Sequence, residues 1–261
     1  MKTRFLIPML LAIALALAAC GAETIPENPP ETDPPETARP EETPPETDPA
    51  ETDSPEALPP LEGTPLTAEE LAQANKALNH NDPYDAQAQR LNCFFTSEYN
   101  DVTKLNLAEF LRYFPGEGGF VEDGDLKEFR ALAALPDFPW DEEDLELWGN
   151  VPSGAPVPIH RIPRAAVDNT LETYAGITTA DLTDTEGVLY LPGYDAFYNF
   201  TSDFGPGSFQ ATKGARDGDT LLLWAEPAPY AEDQSVREAA FRKEGERWLI
   251  QSFTSYPVKN G

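Results

Sequence analysis

The stretch Val236-Arg237-Glu238-Ala239-Ala240-Phe241-Arg242-Lys243-Glu244-Gly245-Glu246-Arg247-Trp248-Leu249-Ile250-Gln251-Ser252-Phe253 decides the fold. Val236 to Lys243 and Trp248 to Phe253 read as two β-runs, and Glu244-Gly245 between them supplies the glycine that a tight hairpin favours. Working backwards, Thr220 to Ala225 and Ser208 to Lys213 repeat the arrangement around Asp217-Gly218, and Tyr194 to Phe200 and Val188 to Leu191 add two more runs. Sequential strands joined by short turns pair antiparallel, so the chain from Val188 onward is predicted to be a β-meander.

Upstream the apolar period changes to that of helices. In Leu66-Thr67-Ala68-Glu69-Glu70-Leu71, Thr67 and Glu70 form a capping box and Leu66 staples onto Leu71, which predicts a helix from Ala68 to Leu78 with Leu71, Ala74 and Leu78 facing inward. Asp85 is placed to cap a helix through Leu91 and Phe95. Asn106 with Glu109, Asp125 with Glu128, and Asp141 with Asp144 each open another. Ile159-His160-Arg161-Ile162-Pro163 leads into a helix that carries Val167, Leu171 and Tyr174 on one face and stops at Gly176. Each helix is too short to stand alone. Short helices followed by successive strands therefore define an α+β domain over residues 66–261, its N-terminal helices packed on a C-terminal antiparallel β-meander. The alternative arrangement of these elements is an NTF2-like cone, whose concave sheet face encloses a pocket.

The chain begins differently. Lys2 and Arg4 precede an apolar run from Phe5 to Ala19 that ends in Leu17-Ala18-Ala19-Cys20. This is the three-part layout of a secretory signal, shorter than the ~20 apolar residues a membrane span needs. Leu17-Ala18-Ala19-Cys20 resembles the lipobox of bacterial lipoproteins. The resemblance implies that residues 1–19 are removed as a signal peptide and that Cys20 receives a diacylglyceryl group. The acyl chains would anchor the chain on the extracytoplasmic face of the cell membrane, each buried CH₂ adding ~0.8 kcal/mol. From residue 20 the lipidated Cys20 is followed to residue 65 by a segment with thirteen prolines and repeats such as Pro29-Pro30-Glu31-Thr32 and Pro44-Pro45-Glu46-Thr47. Such a segment buries no core, so an extended, disordered stalk is predicted, reaching on the order of 100 Å at ~3.1 Å per residue.

Charge narrows the partners. The formal net charge is −28, shared between stalk and domain. Both repel polyanions, which excludes nucleic acid and leaves the membrane through the lipid, and a cell-wall glycan or a protein, as partners. A monomer is expected. Cys20 and Cys93 are the only cysteines. With Cys20 lipidated no intramolecular disulfide is possible, and Cys93, within Leu91-Asn92-Cys93-Phe94-Phe95, reads as a buried small hydrophobe.

Little in the sequence carries chemistry. There are two histidines, His80 and His160, and no zinc spacing, nucleophile elbow or phosphate-cradling glycine loop, so no catalytic residue, cofactor or metal site is assigned. Asp141-Glu142-Glu143-Asp144, Glu122-Asp123-Gly124-Asp125 and Asp181 through Glu186 read as cap and turn chemistry. Tyr194 to Phe200 holds the site candidates. Extended, it places Tyr194, Ala196, Tyr198 and Phe200 on one face and Asp195, Phe197 and Asn199 on the other, so both faces carry aromatics. Tyr194, Asp195, Tyr198 and Asn199 would contact a ligand if one face were an open stacking platform; the competing expectation is that helices and a loop cover both. Trp224 and Trp248 are expected in the core.

Leu91-Asn92-Cys93-Phe94-Phe95-Thr96-Ser97-Glu98-Tyr99, Ile159-His160-Arg161-Ile162-Pro163 and Tyr194-Asp195-Ala196-Phe197-Tyr198-Asn199-Phe200 together resemble the extracytoplasmic domain of uncharacterised lipoproteins from clostridia-type Gram-positive bacteria. That resemblance implies surface display and carries no activity. The functional expectation is a membrane-anchored lipoprotein serving as a non-catalytic binding or interaction module. A carboxylate-dependent cell-wall or glycan hydrolase is the alternative.

Overall fold

The computed structural model describes residues 63–79, 86–200, 209–227 and 235–257; Cys20, the expected signal peptide and nearly all of the expected stalk, His80 and Asp85 lie outside the described residues. The described residues fall within one compact unit. Its helices are α1 (Ala68–Asn79), α2 (Ala86–Asn92), α3 (Leu107–Arg112), α4 (Leu126–Ala133), α5 (Glu142–Leu147) and α6 (Arg164–Ala175). Its strands are β1 (Thr64–Pro65), β2 (His160–Pro163), β3 (Tyr190–Leu191), β4 (Ala196–Asn199), β5 (Lys213–Asp217), β6 (Thr220–Ala225), β7 (Ser235–Glu244) and β8 (Arg247–Pro257). The fold is α+β.

The C-terminal meander forms as predicted. β5 to β8 pair antiparallel in chain order, and β1 adds an edge strand to make five. Gly218 (φ 54°) and Gly245 (φ 60°) take the left-handed conformation their turns demand. β5 begins later than the predicted run from Ser208 to Lys213, because Phe209 and Ala211 are spent on the core and Gly214 is where the strand passes under Leu66. A Cβ at Gly214 would lie 2.7 Å from Leu66 Cδ1 and 2.9 Å from Leu223 Cδ2. One face of this sheet, carrying Leu221, Leu223, Ala239, Phe241, Ile250 and Phe253, packs on the helices around Phe94 and Phe110. Trp224 is buried as expected, but on the opposite face, where its Nε1 donates to Glu238 Oε2 at 2.7 Å.

One expectation is corrected: Tyr194 to Phe200 and Val188 to Leu191 do not join the meander. They supply β4 and β3 of a separate antiparallel sheet ordered β2-β4-β3. The segment expected only to lead into a helix is itself the strand β2. Ile162 on it faces the larger core and neighbouring Ile159 the smaller one. β4 alternates likewise, with Phe197 in the larger cluster and Ala196 and Tyr198 in the smaller. Burial on both sides explains why aromatics occupy both faces of β4.

The caps show how local chemistry sets helix starts. Glu70 N donates to Thr67 Oγ1 at 3.2 Å and Thr67 N to Glu70 Oε2 at 2.9 Å, so α1 carries its capping box. Asn106 and Asp141 accept from Glu109 N (2.8 Å) and Asp144 N (2.9 Å). Asp125 breaks the pattern. It precedes α4 but its side chain accepts from Glu122 N at 3.1 Å, and Glu128 turns into the interior instead of closing a box.

Candidate functional site

The four residues singled out on the aromatic strand are not brought together. Tyr194 and Asp195 lie in the turn before β4, with Tyr194 39% exposed and Asp195 at φ 47°. Asp195 Oδ1 accepts from Tyr190 Oη at 2.7 Å, and its carbonyl accepts from Arg164 N at 2.9 Å. Tyr198 and Asn199 are buried, 3% and 7% exposed. Asn199 Nδ2 donates to the carbonyls of Leu111 (2.6 Å) and Arg112 (3.3 Å), which serves the unpaired C-terminal end of α3. No open face of β4 is left on which a sugar or peptide would stack, so these residues build the domain.

Tyr198 belongs to a buried polar clamp. Glu128 on α4 is 4% exposed, and both of its oxygens are held by Arg161 on β2, from Nε and Nη2, each at 2.7 Å. Tyr198 Oη donates to Glu128 Oε1 at 2.5 Å. Arg161 also donates to Asp125 Oδ2 at 3.1 Å and to the carbonyl of Gly118 at 3.0 Å. Paired this way, the guanidinium holds its proton more firmly than usual, and burial with the Glu128 hydrogen bond pushes the Tyr198 phenol up. Every partner is committed to another, which suits a structural lock between α4, β2 and β4. Cys93 is equally inert: it is buried, its Sγ donates to the Gln89 carbonyl at 3.2 Å, and burial pushes its thiol up.

The acidic runs do what capping predicts. Asp141 and Asp144 cap α5, Asp123 accepts from Ser153 N (2.9 Å) and Oγ (2.7 Å), and Asp181 accepts from Thr178 N (2.8 Å). Among the described residues no group of three His, Cys, Asp or Glu side chains is placed to hold a metal. His160 lies edge-on to Phe120, ring centroids 4.9 Å apart.

An apolar cleft of about 480 Å³ opens between α1, α6 and the helical face of the five-stranded sheet, and a second opening of about 540 Å³ is bordered by Phe120, Glu122, Asp123 and Ile159. The floor of the cleft is apolar: Leu78, Leu91, Leu221, Leu223 and Phe241 are all buried. At one edge of the cleft α1 is tied to the sheet. Asn75 Nδ2 donates to the Ala211 carbonyl at 2.9 Å while Ala211 N donates to Asn75 Oδ1 at 2.8 Å, so one side chain joins α1 to the chain leading into β5 as a strand partner would. Beside Asn75, α1 lines the gap with the small Ala74 and Ala77, between Leu78 at the floor and Glu70 and Gln73 at the mouth.

The mouth is polar. Glu70, Gln73 and Arg216 line it together with Trp248. Arg216 lies with its guanidinium carbon 5.6 Å from the centroid of the Trp248 ring and Nη1 3.7 Å from Glu70 Oε1. Trp248, expected in the core, is thus a half-buried wall of the cleft. Sequence reasoning missed Arg216 because its position on the helical face follows only from the β5–β6 register, which sets it opposite Leu221. Comparison with protein-family models, with curated proteins and with solved structures finds no match for this chain.

Proposed function

We propose that the chain is a lipid-anchored surface lipoprotein whose folded domain is a non-catalytic binding module, and that it captures a small, mostly apolar molecule in the cleft between α1, α6 and the sheet. The observation that carries this reading is the cleft itself. A volume of about 480 Å³ with an apolar floor and a few polar groups at one end is the layout of small-molecule sites, which run from roughly 300 to 1,000 Å³. Tethering by Cys20 rests on the lipobox resemblance and places the site outside the cell. The arrangement fits the pocket-enclosing variant of the α+β architecture better than a flat aromatic platform. The cleft offers the hydrolase alternative no acid pair among the described residues: Glu128 is sealed by Arg161 and Tyr198, and Glu70 is the one described acid lining it.

The uncharged dye Nile red tests the reading. With the full chain carrying Cys20→Ala, its emission should brighten and move to the blue, and adding Ala77→Phe, which fills the cleft from the exposed side of α1, should remove that response. A response that survives Ala77→Phe places the dye elsewhere and ends the cleft reading.

A further inference from the structure

We propose that the molecule taken by the cleft is a monoanionic amphiphile, an apolar body ending in one carboxylate, with Arg216 receiving the carboxylate. The inference rests on the cleft reading above and adds the chemistry of the head group. Two other guanidinium groups are occupied: Arg161 donates to Glu128, Asp125 and the carbonyls of Gly118 and Phe120, and Arg164 Nε donates to Asp168 Oδ2 at 3.2 Å. The Arg216 guanidinium faces the cleft, and no hydrogen bond joins it to a described residue; its ion pair with Glu70 is 3.7 Å long, beyond hydrogen-bond reach. Five fixed N–H donors at the lip of an apolar cleft match a planar acceptor, which a carboxylate supplies in two-point fashion.

Glu70 is the acceptor already nearest: its Oε1 stands 3.7 Å from Arg216 Nη1, an ion pair too long for a hydrogen bond, which leaves the guanidinium donors unfilled. Its Oε2 accepts from both Thr67 N and Thr67 Oγ1 at 2.9 Å, at the N-terminus of α1 where a negative charge is already favoured. A cationic head would find one acid, Glu70, among the described residues lining the cleft, with Arg216 repelling it from the same lip. Trp248 packs against the guanidinium, whose carbon lies 5.6 Å from the ring centroid. Glu70 also limits the ligand's charge: a dianion placed on Arg216 would sit beside a carboxylate that has no other cation within ion-pair distance. Below the head, Leu221, Leu223 and Phe241 accept an alkyl or other apolar body.

Calorimetric titration of the full chain carrying Cys20→Ala, with dodecanoate, dodecan-1-ol and dodecylammonium as probes, decides the matter. Dodecanoate should bind at least about tenfold tighter than the alcohol, with dodecylammonium weakest. Arg216→Met, which keeps an apolar stem on Trp248, should bring dodecanoate and the alcohol level, and Arg216→Lys should restore part of the preference. Equal affinities for dodecanoate and dodecanol in the parent chain, both lost with Ala77→Phe, overturn the carboxylate inference and leave the cleft reading standing. A preference for dodecylammonium, or one for dodecanoate that survives Arg216→Met, also overturns it. Binding of none of the three overturns both.

Discussion

Tyr198 on β4 donates a 2.5 Å hydrogen bond to Glu128 on α4, and among the described residues Arg161 on β2 is that carboxylate's other partner. Three elements distant in the chain are thereby locked by one buried charge. The geometry sets the cost of taking each partner away. Tyr198→Phe removes one donor and leaves the ion pair, so it should destabilise the domain by about 1–3 kcal/mol. Arg161→Met strands the buried carboxylate and should cost about 3–5 kcal/mol. Urea unfolding followed by circular dichroism compares the two. If Arg161→Met proved no worse than Tyr198→Phe, the clamp would not be a charge lock.

Glu70 links the α1 cap to pH. Hydrogen bonds from the Thr67 backbone and hydroxyl hold its carboxyl below the ordinary value of 4.5. A carboxyl depressed in the folded state stabilises above its unfolded value and stops doing so as pH falls through the folded one. The urea midpoint of the parent chain should therefore exceed that of Glu70→Ala by a constant margin above about pH 5 and converge on it toward pH 3. A margin that widened on acidification would reverse the sign and remove the cap from the account.

Cys93 should resist thiol reagents in the folded protein. Burial pushes its thiol up, leaving little thiolate to react. Its reaction with a chromogenic disulfide at pH 8 should be on the order of 100-fold slower in native buffer than in denaturant, because attack waits on unfolding. The measurement uses the full chain with Cys20→Ala, so that Cys93 is the one thiol present. Equal rates would mean that the segment around Cys93 opens freely.

Anchoring has its own check. Mass spectrometry of the membrane-associated protein should find an acylated Cys20 as the first residue, and Cys20→Ala should move the protein out of the membrane fraction. A tightly bound mature form that persists without Cys20 would remove the lipobox reading.

The two levels of description part where interactions become long-range. Thr67 with Glu70, Asn106 with Glu109, Asp141 with Asp144, and the turns at Gly218 and Gly245 were legible in the sequence, because each is satisfied within three or four residues. The α+β class followed from them. Glu128 shows the limit: its position suggests a cap, yet it belongs to an arginine 33 residues away and a tyrosine 70 residues away. β2 was illegible for a related reason. Four residues including His160, Arg161 and Pro163 carry no strand signature, and β2 is a strand only because β4 is there to pair with it.

The sequence by itself determined the class, the capped starts of α1, α3 and α5, the hairpin turns and the burial of Cys93, all products of short-range hydrogen bonds and local apolar pattern. Only the tertiary structure decided that β4 is covered on both faces and that Asn75 ties α1 to the chain entering β5. It alone also brings Arg216 to the lip of the cleft. Those outcomes depend on register and on partners across the chain, which no local pattern encodes.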